Sequence, residues 1–469
     1  MLLAHKPPRK KLHLIPLIAA TYFMVSGGPY GIEDILGGAG FAWAIVILLV
    51  LPIVWSLPTT LMIGELASAI PAEGGFYVWV RRALGPFWGY QESWLSLAAS
   101  IFDMALYPSI FVLYLGKFSP ALTSGFKGYA WSLAVVLLCS LWNLRGAPAV
   151  GEGSVWLFVL LLSPYVVFVC LGFARALLFH PAIEWTSRSA AGPGAFAGPA
   201  FSTAVLVAMW NYMGWDNAST VAQEVENPQR NYPRAMIVAA ILTAITYILP
   251  LAAMAFAGLS SASFSTGDWA DAARQLGGSG LIGAALALSV VAGGCINGVG
   301  MFNALAMSYT RLPMAMALDS MLPAVFALRN RRGVPWVSVL FCCLGWALAL
   351  KLPFERLISI DLILYGSSLL LEFAALVVLR LREPALPRPF RAGNFLFACL
   401  LGVGPAVLIA YALYASRDQK LGEPNSSFAN VSALTFASMI ALLGPLFYAL
   451  TAAPLRRLRK ARTPVPAPD

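Results

Sequence analysis

Apolar runs of about 20 residues recur along almost the whole chain, each long enough to cross about 30 Å of hydrocarbon as a helix. Twelve spans are predicted, over residues 14–38, 41–66, 86–115, 128–144, 152–175, 201–226, 233–258, 280–309, 336–350, 355–380, 395–415 and 430–453. Two of them are interrupted. The first, LIPLIAATYFMVSGGPYGIEDILGG, carries Gly27, Gly28, Pro29 and Gly31 near the expected bilayer midplane, which argues against a continuous helix. The sixth, VAMWNYMGWDNAST, places Asn211, Gly214, Asp216 and Asn217 near mid-depth, all poor formers of an apolar helix. Irregular backbone is intolerable against lipid, so such breaks are shielded by neighbouring helices or line a cavity. The first and sixth spans each open a block of five and cross in opposite directions, the pattern of an inverted-repeat transporter with a midplane site.

Composition excludes an ordinary soluble enzyme: 59% of the residues are hydrophobic and 11% charged, more apolar side chain than one soluble core could bury. The fold class expected is an all-α polytopic membrane protein of about 12 transmembrane helices. Its core is a five-plus-five inverted repeat in which helices 1 and 6 are broken. The segments are a cytosolic tail 1–12, a first repeat 13–175, a second repeat 201–380, two further helices over 395–453 and a basic cytosolic tail 454–469.

The net charge of +10 depends for its meaning on where the basic residues sit. With the N-terminus inside, 22 of the 31 Lys and Arg fall in inner segments, so both termini are expected in the cytosol of a cell membrane, plasma or inner. The string Arg456, Arg457, Arg459, Lys460 and Arg462 reads as a topology anchor, and no nucleic-acid partner is expected. Lys6, Arg9, Lys10 and Lys11 precede an apolar stretch without a small-residue cleavage site, so that stretch reads as a retained span. Cys139, Cys170, Cys295, Cys342, Cys343 and Cys399 lie in apolar spans without metal-ligand spacing, and His5, His13 and His180 are scattered. No metal, cofactor, disulfide framework or histidine triad is expected, and a membrane enzyme loses most of its usual parts.

Polar side chains inside the spans are the candidate chemistry. Span three carries Glu92, Ser96, Ser100, Asp103 and Tyr107 at steps of four, four, three and four, along one helical face. Span ten repeats the arrangement with Asp361, Tyr365, Ser368 and Glu372. A carboxylate within a membrane is expensive and functional by default. Glu92, Asp361 and Glu372 lie nearer the span ends, where solvated placement is expected. No Lys or Arg occurs over 12–80, 83–116 or 189–229, so Glu33, Asp34, Glu92, Asp103 and Asp216 have no basic residue close in sequence. Surplus negative charge of this kind suits a di- or polycation.

The segments VSGGPYGIED, GELASAIPAEGGFYVWVRRALGPFWGYQ, WNYMGWDNASTVAQEVENPQRNYPRA and RLPMAMALDSMLPAVFALRNRRGVP resemble, in order, the signatures of the amino acid/polyamine/organocation superfamily of permeases, within it the polyamine-uptake branch. The resemblance extends to about residue 390. It implies alternating access, with substrate held between broken helices 1 and 6. In amino-acid-carrying relatives the helix 1 break offers backbone N–H groups to a substrate carboxylate. Here Pro29 has none, Tyr30 and Gly31 are the nearest donors, and Glu33 with Asp34 would repel a carboxylate. We read Glu33 as a site residue and leave Asp34 open between that role and a first-turn acid facing water. The polyamine branch also places an acid and a tyrosine in helices 3 and 10, which assigns Asp103 and Tyr365 to the site. Trp210 matches the aromatic residue that covers substrate in the superfamily, and an indole face also holds an amine.

The substrate-binding set expected is therefore Gly27, Gly28, Tyr30, Gly31, Glu33, Asp103, Tyr107, Trp210, Asn211, Trp215, Asp216 and Tyr365. A sodium site built on paired hydroxyls of helix 8 is not expected, because only Ser289 and Ser308 occur there, and helix 5 lacks the lysine of some proton-coupled relatives. Proton coupling would then run through desolvated carboxylates, with Glu33, Asp103 and Asp216 the candidates. The leading expectation is a secondary transporter importing polyamines or related amines with protons. An amino acid permease of the same fold and a non-transporting membrane receptor are the alternatives.

Overall fold

The computed structural model describes residues 11–185, 199–350, 354–417 and 431–456. Most of both tails lies outside the described residues, including Lys6, Arg9 and Lys10 and, of the predicted anchor, Arg457, Arg459, Lys460 and Arg462. Regular structure among the described residues is helical, apart from two isolated bridges, Leu12 with Val225 and Glu73 with Val221.

The chain enters as α1 (Leu14–Val25), breaks, and resumes as α2 (Glu33–Leu51), which bends at Gly40 where φ is 71°. Only glycine adopts that angle without strain, so the end of the first span and the start of the second form one kinked element. A π-helical turn at Pro52–Ser56 leads into α3 (Leu57–Ala69), and an amphipathic α4 (Phe76–Leu84) turns Phe76, Tyr77, Trp79 and Val80 inward. Then come α5 (Pro86–Phe118), α6 (Pro120–Thr123), α7 (Phe126–Asn143), α8 (Ala147–Phe179) and α9 (Pro199–Asn211). They are followed by α10 (Pro228–Phe256), α11 (Trp269–Gly277), α12 (Leu281–Tyr309), α13 (Arg311–Leu318) and α14 (Trp336–Ala349). The chain closes with α15 (Phe354–Arg382), α16 (Phe395–Leu401), α17 (Val403–Ser416) and α18 (Ala433–Phe447). Among the described residues eight helical runs are long and apolar enough to cross a membrane on their own. The first, fourth, sixth and ninth spans are the shorter ones, two of them shortened by their breaks.

The sixth span corrects the sequence reading in one respect. Beyond Asn211 it continues as 3₁₀ turns at Trp215–Thr220 and Ala222–Glu224 rather than as α-helix. Asp216, Asn217, Ser219 and Thr220 compete for the backbone there, as when Thr220 Oγ1 donates to the Asn217 carbonyl at 3.0 Å. The Thr220 carbonyl is in turn taken by the Gly74 N–H at 3.0 Å.

α5 runs through the middle of the bundle between α12 and α15. Close approach to α12 requires glycine: a Cβ on Gly294 would lie 2.2 Å from the Tyr114 ring. Leu137, Leu138 and Leu141 of α7, Trp156 and Val166 of α8, and Met439 and Leu442 of α18 point outward. An apolar rim of this extent belongs against hydrocarbon.

On the face where α1 begins, Glu65 of α3 is fully buried and receives Arg380 of α15 through Nε at 2.8 Å and through Nη2. Arg388 Nε stands 3.2 Å from the same carboxylate and the Ala392 N–H donates to it at 2.8 Å. Arg380 also donates to the carbonyls of Ala392, Gly393 and Asn394. A buried pair of this kind contributes little over an apolar substitute, but breaking it by removing one partner costs about 3–5 kcal/mol. Glu65→Ala is therefore expected to lower the thermal midpoint of the detergent-solubilised protein sharply, while Glu65→Ala combined with Arg380→Met recovers part of the loss. Additive losses in the double variant would show that the two side chains do not depend on each other.

Candidate substrate-binding site

The first break spans Ser26 to Ile32. Gly28 and Gly31 take φ of 67° and 92°, and the freed backbone finds local partners. The Gly28 N–H donates to Ser26 Oγ at 3.1 Å and the Gly31 N–H to Glu33 Oε2 at 2.6 Å. The Gly31 carbonyl accepts from Asn211 Nδ2 at 2.9 Å, so the two breaks are tied to one another. Gly27 abuts Asn297 of α12; a Cβ there would fall 1.9 Å from Asn297 Oδ1.

At the second break, Tyr247 on α10 donates to the Asn211 carbonyl at 2.7 Å, and the Gly214 N–H donates to Tyr365 Oη at 3.0 Å. Tyr365 in turn donates a hydrogen bond to Asp216 Oδ1 at 2.5 Å, joining α15 to the turn after the break. Trp215 donates through Nε1 to the Tyr212 carbonyl at 2.8 Å and is fully buried, the environment of a packing residue.

Asp103 is the centre of the arrangement. Oδ1 accepts from Tyr107 at 2.5 Å and from Trp210 Nε1 at 3.2 Å, while Tyr309 of α12 donates to Oδ2 at 3.4 Å. The rings of Tyr107 and Trp210 stack at 6.1 Å with 23° between their planes. The structure thus brings Asp103, Tyr107, Trp210, Asp216 and Tyr365 into one buried cluster, with Asn211 as the tie between the breaks.

Glu92, Asp361 and Glu372, expected in solvated positions near the span ends, are all fully buried. α5 and α15 begin at Pro86 and Phe354, within a residue of the predicted edges, so the burial comes from neighbouring elements that cover the helices, and α4 packs against both. Asp361 stands within electrostatic reach of Asp103 and Asp216, and neither of its oxygens has a hydrogen-bond partner among the described residues. It is the site residue that sequence reasoning set aside, although its place on the Tyr365 stripe was the available signal. Tyr309 and Asn297 were missed altogether, since neither belongs to a polar stripe.

Glu33 and Asp34 face the opposite side of the protein. Glu33 is fully buried and accepts from the Gly31 N–H, from Tyr114 Oη at 2.5 Å and from the Gly267 N–H at 3.2 Å. Asp34 accepts from Thr266 N–H and Oγ1 at 3.2 and 2.9 Å. Trp269 Nε1 donates to the Pro29 carbonyl at 2.7 Å, and Tyr30 donates to the Val290 carbonyl at 2.6 Å. Lys117 holds the same loop through Asp268 at 2.9 Å. Partial burial opposes ionisation of Asp268, but Lys117 and Ser265 outweigh it and keep its carboxyl below the usual range. The first break is therefore closed over by the loop before α11.

The family model for amino acid permeases matches residues 18–442. The chain is 35% identical over 402 residues to the polyamine transporter RMV1 of Arabidopsis thaliana, spanning 85% of this chain and 79% of that one. It is 34% identical over 413 residues to the polyamine transporter PUT1 of Oryza sativa subsp. japonica, spanning 87% and 74%. Its backbone superposes on the crystal structure of MhsT in complex with L-phenylalanine with a TM-score of 0.60 over 87% of this chain and 99% of that chain. The sequence identity in that pair is 15%, so the likeness concerns the fold alone. Between the sequence match over most of its length and the broken-helix core, the chain belongs to the amino acid permease family of membrane transporters, which includes these polyamine carriers.

Proposed function

We propose that the protein carries polyamines or related organic cations across the cell membrane by alternating access, coupled to protons, with both termini in the cytosol. The observation that carries this reading is the buried triad Asp103, Asp216 and Asp361 around the two breaks. Among the described residues no Lys or Arg forms an ion pair with any of them. A buried carboxylate without a counter-charge is costly, and a substrate ammonium or a proton supplies the remedy. The backbone supports the same sign. Of the donors at the first break, the Gly31 N–H is taken by the Glu33 carboxylate and the nearby Gly28 N–H by Ser26. The names of the relatives above agree with a cationic substrate.

In this reading Asp103 and Asp216 hold an ammonium directly, Trp210 and Tyr107 cover it, and Tyr365 keeps Asp216 in register with the second break. The same acids carry protons when the substrate is gone, which couples the two fluxes. Glu33 serves the opposite face: its bonds to Gly267 and Tyr114 open when the loop before α11 lifts.

Proteoliposome uptake of labelled putrescine or spermidine is expected to saturate, to be competed by polyamines but not by leucine, and to rise with an acid-outside pH gradient. Leucine-type uptake without polyamine competition would replace this reading with an amino acid permease, and binding without counterflow would replace it with a receptor. Asp103→Asn removes one charged, hydrogen-bonded contact worth about 1.5–3 kcal/mol, so the KM for putrescine is expected to rise roughly ten- to hundredfold. Wild-type kinetics in that variant would take Asp103 out of the site.

A further inference from the structure

A second pair of carboxylates is buried apart from the triad, nearer the N-terminal face. Glu92 lies 11 residues from Asp103 on α5, and Glu372 lies 11 residues from Asp361 on α15, in each case about 16 Å along the helix axis. Both are fully buried. Glu92 accepts from Ser96 Oγ at 2.9 Å and from Ser93 Oγ at 3.3 Å, whereas neither oxygen of Glu372 has a partner among the described residues. Each stands within electrostatic reach of Asp216, and Glu372 also of Glu92.

Among the described residues no cation of the protein serves this pair. Arg380, two turns beyond Glu372, is committed to Glu65, and Arg82 is committed to Glu383. The serines between the two clusters are also informative. Ser100 and Ser368 turn their hydroxyls back onto the carbonyls of Leu97 and Tyr365, at 2.7 and 2.8 Å, and Ser100 Oγ accepts from Trp346 Nε1 at 3.3 Å, so both hydroxyls are already engaged. Two clusters of acid separated by such a stretch match a chain of amines separated by methylenes. Tyr365, bonded to Asp216, sits seven residues from Glu372, about 10 Å along the axis, which calls for an amine beyond the first two.

We infer that Glu92 and Glu372 form a second ammonium subsite, which holds the distal amine of a tri- or tetra-amine whose near amine sits among Asp103, Asp216 and Asp361. This rests on the polycation reading of the central site. The pair acts as a length gauge: a short diamine satisfies the triad alone, and a longer polyamine satisfies both clusters.

The test is transport by the full chain in proteoliposomes with putrescine, spermidine and a spermidine acetylated on one terminal amine. The wild-type KM is expected to be roughly ten- to hundredfold lower for spermidine than for putrescine or the acetylated amine, the worth of one further charged contact. Glu372→Gln and Glu92→Gln are each expected to raise the spermidine KM toward that of putrescine and to leave the putrescine KM unchanged. Wild-type protein that moves putrescine but gains nothing from the third amine overturns the subsite and leaves the polyamine reading intact. Equal losses for all three amines in the variants also overturn it, and assign the pair to a proton. Wild-type protein that moves none of the amines overturns both readings. The wild-type length series needs no variant, so it decides the matter even where a substitution prevents membrane insertion.

Discussion

The single constraint on which this structure depends is that a helix broken in mid-membrane must still satisfy its backbone. Unpaired N–H and C=O groups at that depth cost several kcal/mol each, and no bulk water is present to repair them. The protein meets this by making each break the partner of something else. Asn211, the last residue of α9, reaches the Gly31 carbonyl of the first break. Tyr365 accepts from the Gly214 N–H of the second and donates to Asp216. The side chains that form the candidate site are thus also those that stabilise the irregular backbone. A change in one break is consequently felt in the other.

The same economy connects the breaks to the two faces. On one side, the Glu33 carboxylate caps Gly31 and holds Gly267 and Tyr114, while Trp269 reaches the Pro29 carbonyl. On the other, the chain before α1 pairs with the end of the sixth span: the Leu12 N–H donates to the Glu224 carbonyl at 2.8 Å, and the Glu226 N–H donates to the Leu12 carbonyl at 2.9 Å. Arg311 fastens Glu224 at 3.0 Å. Asp103 and Asp216 are only 2% and 1% exposed between these closures. The carboxylates of the candidate site are therefore closed off from both faces in this structure.

Much of this was legible in the sequence because membrane helices are regular enough that exceptions stand out. Three glycines and a proline within five residues mark the first break, and the polar stripe on α5 led directly to Asp103 and Tyr107. The depth of Asp361, Glu92 and Glu372 was not legible. Hydropathy finds where apolar residues start and stop, and it placed both helices well, but it does not show which neighbours cover them, and α4 packs against both. The partners of Glu33 were equally invisible, since Tyr114 and Gly267 lie 81 and 234 residues away in the chain. A carboxylate in the first turn of a helix looks the same in sequence whether it faces water or closes a loop.

Charge distribution is where the sequence total misleads most. A net charge of +10 invites an anionic partner, yet the buried interior holds Glu33, Asp103, Asp216, Asp361, Glu92 and Glu372 with none of them in an ion pair among the described residues. The basic residues that do reach inward, Arg311 and Arg380, are bound to Glu224 and Glu65 close to the N-terminal face. Their positive charge is therefore neutralised before it can offset the interior acids. An uncompensated interior of that sign is a standing cost that folding alone gives no reason to keep, because serine or leucine would pack at these positions more cheaply. The proposed polycation reading makes that cost intelligible, because the number of acids is larger than one monovalent ion needs.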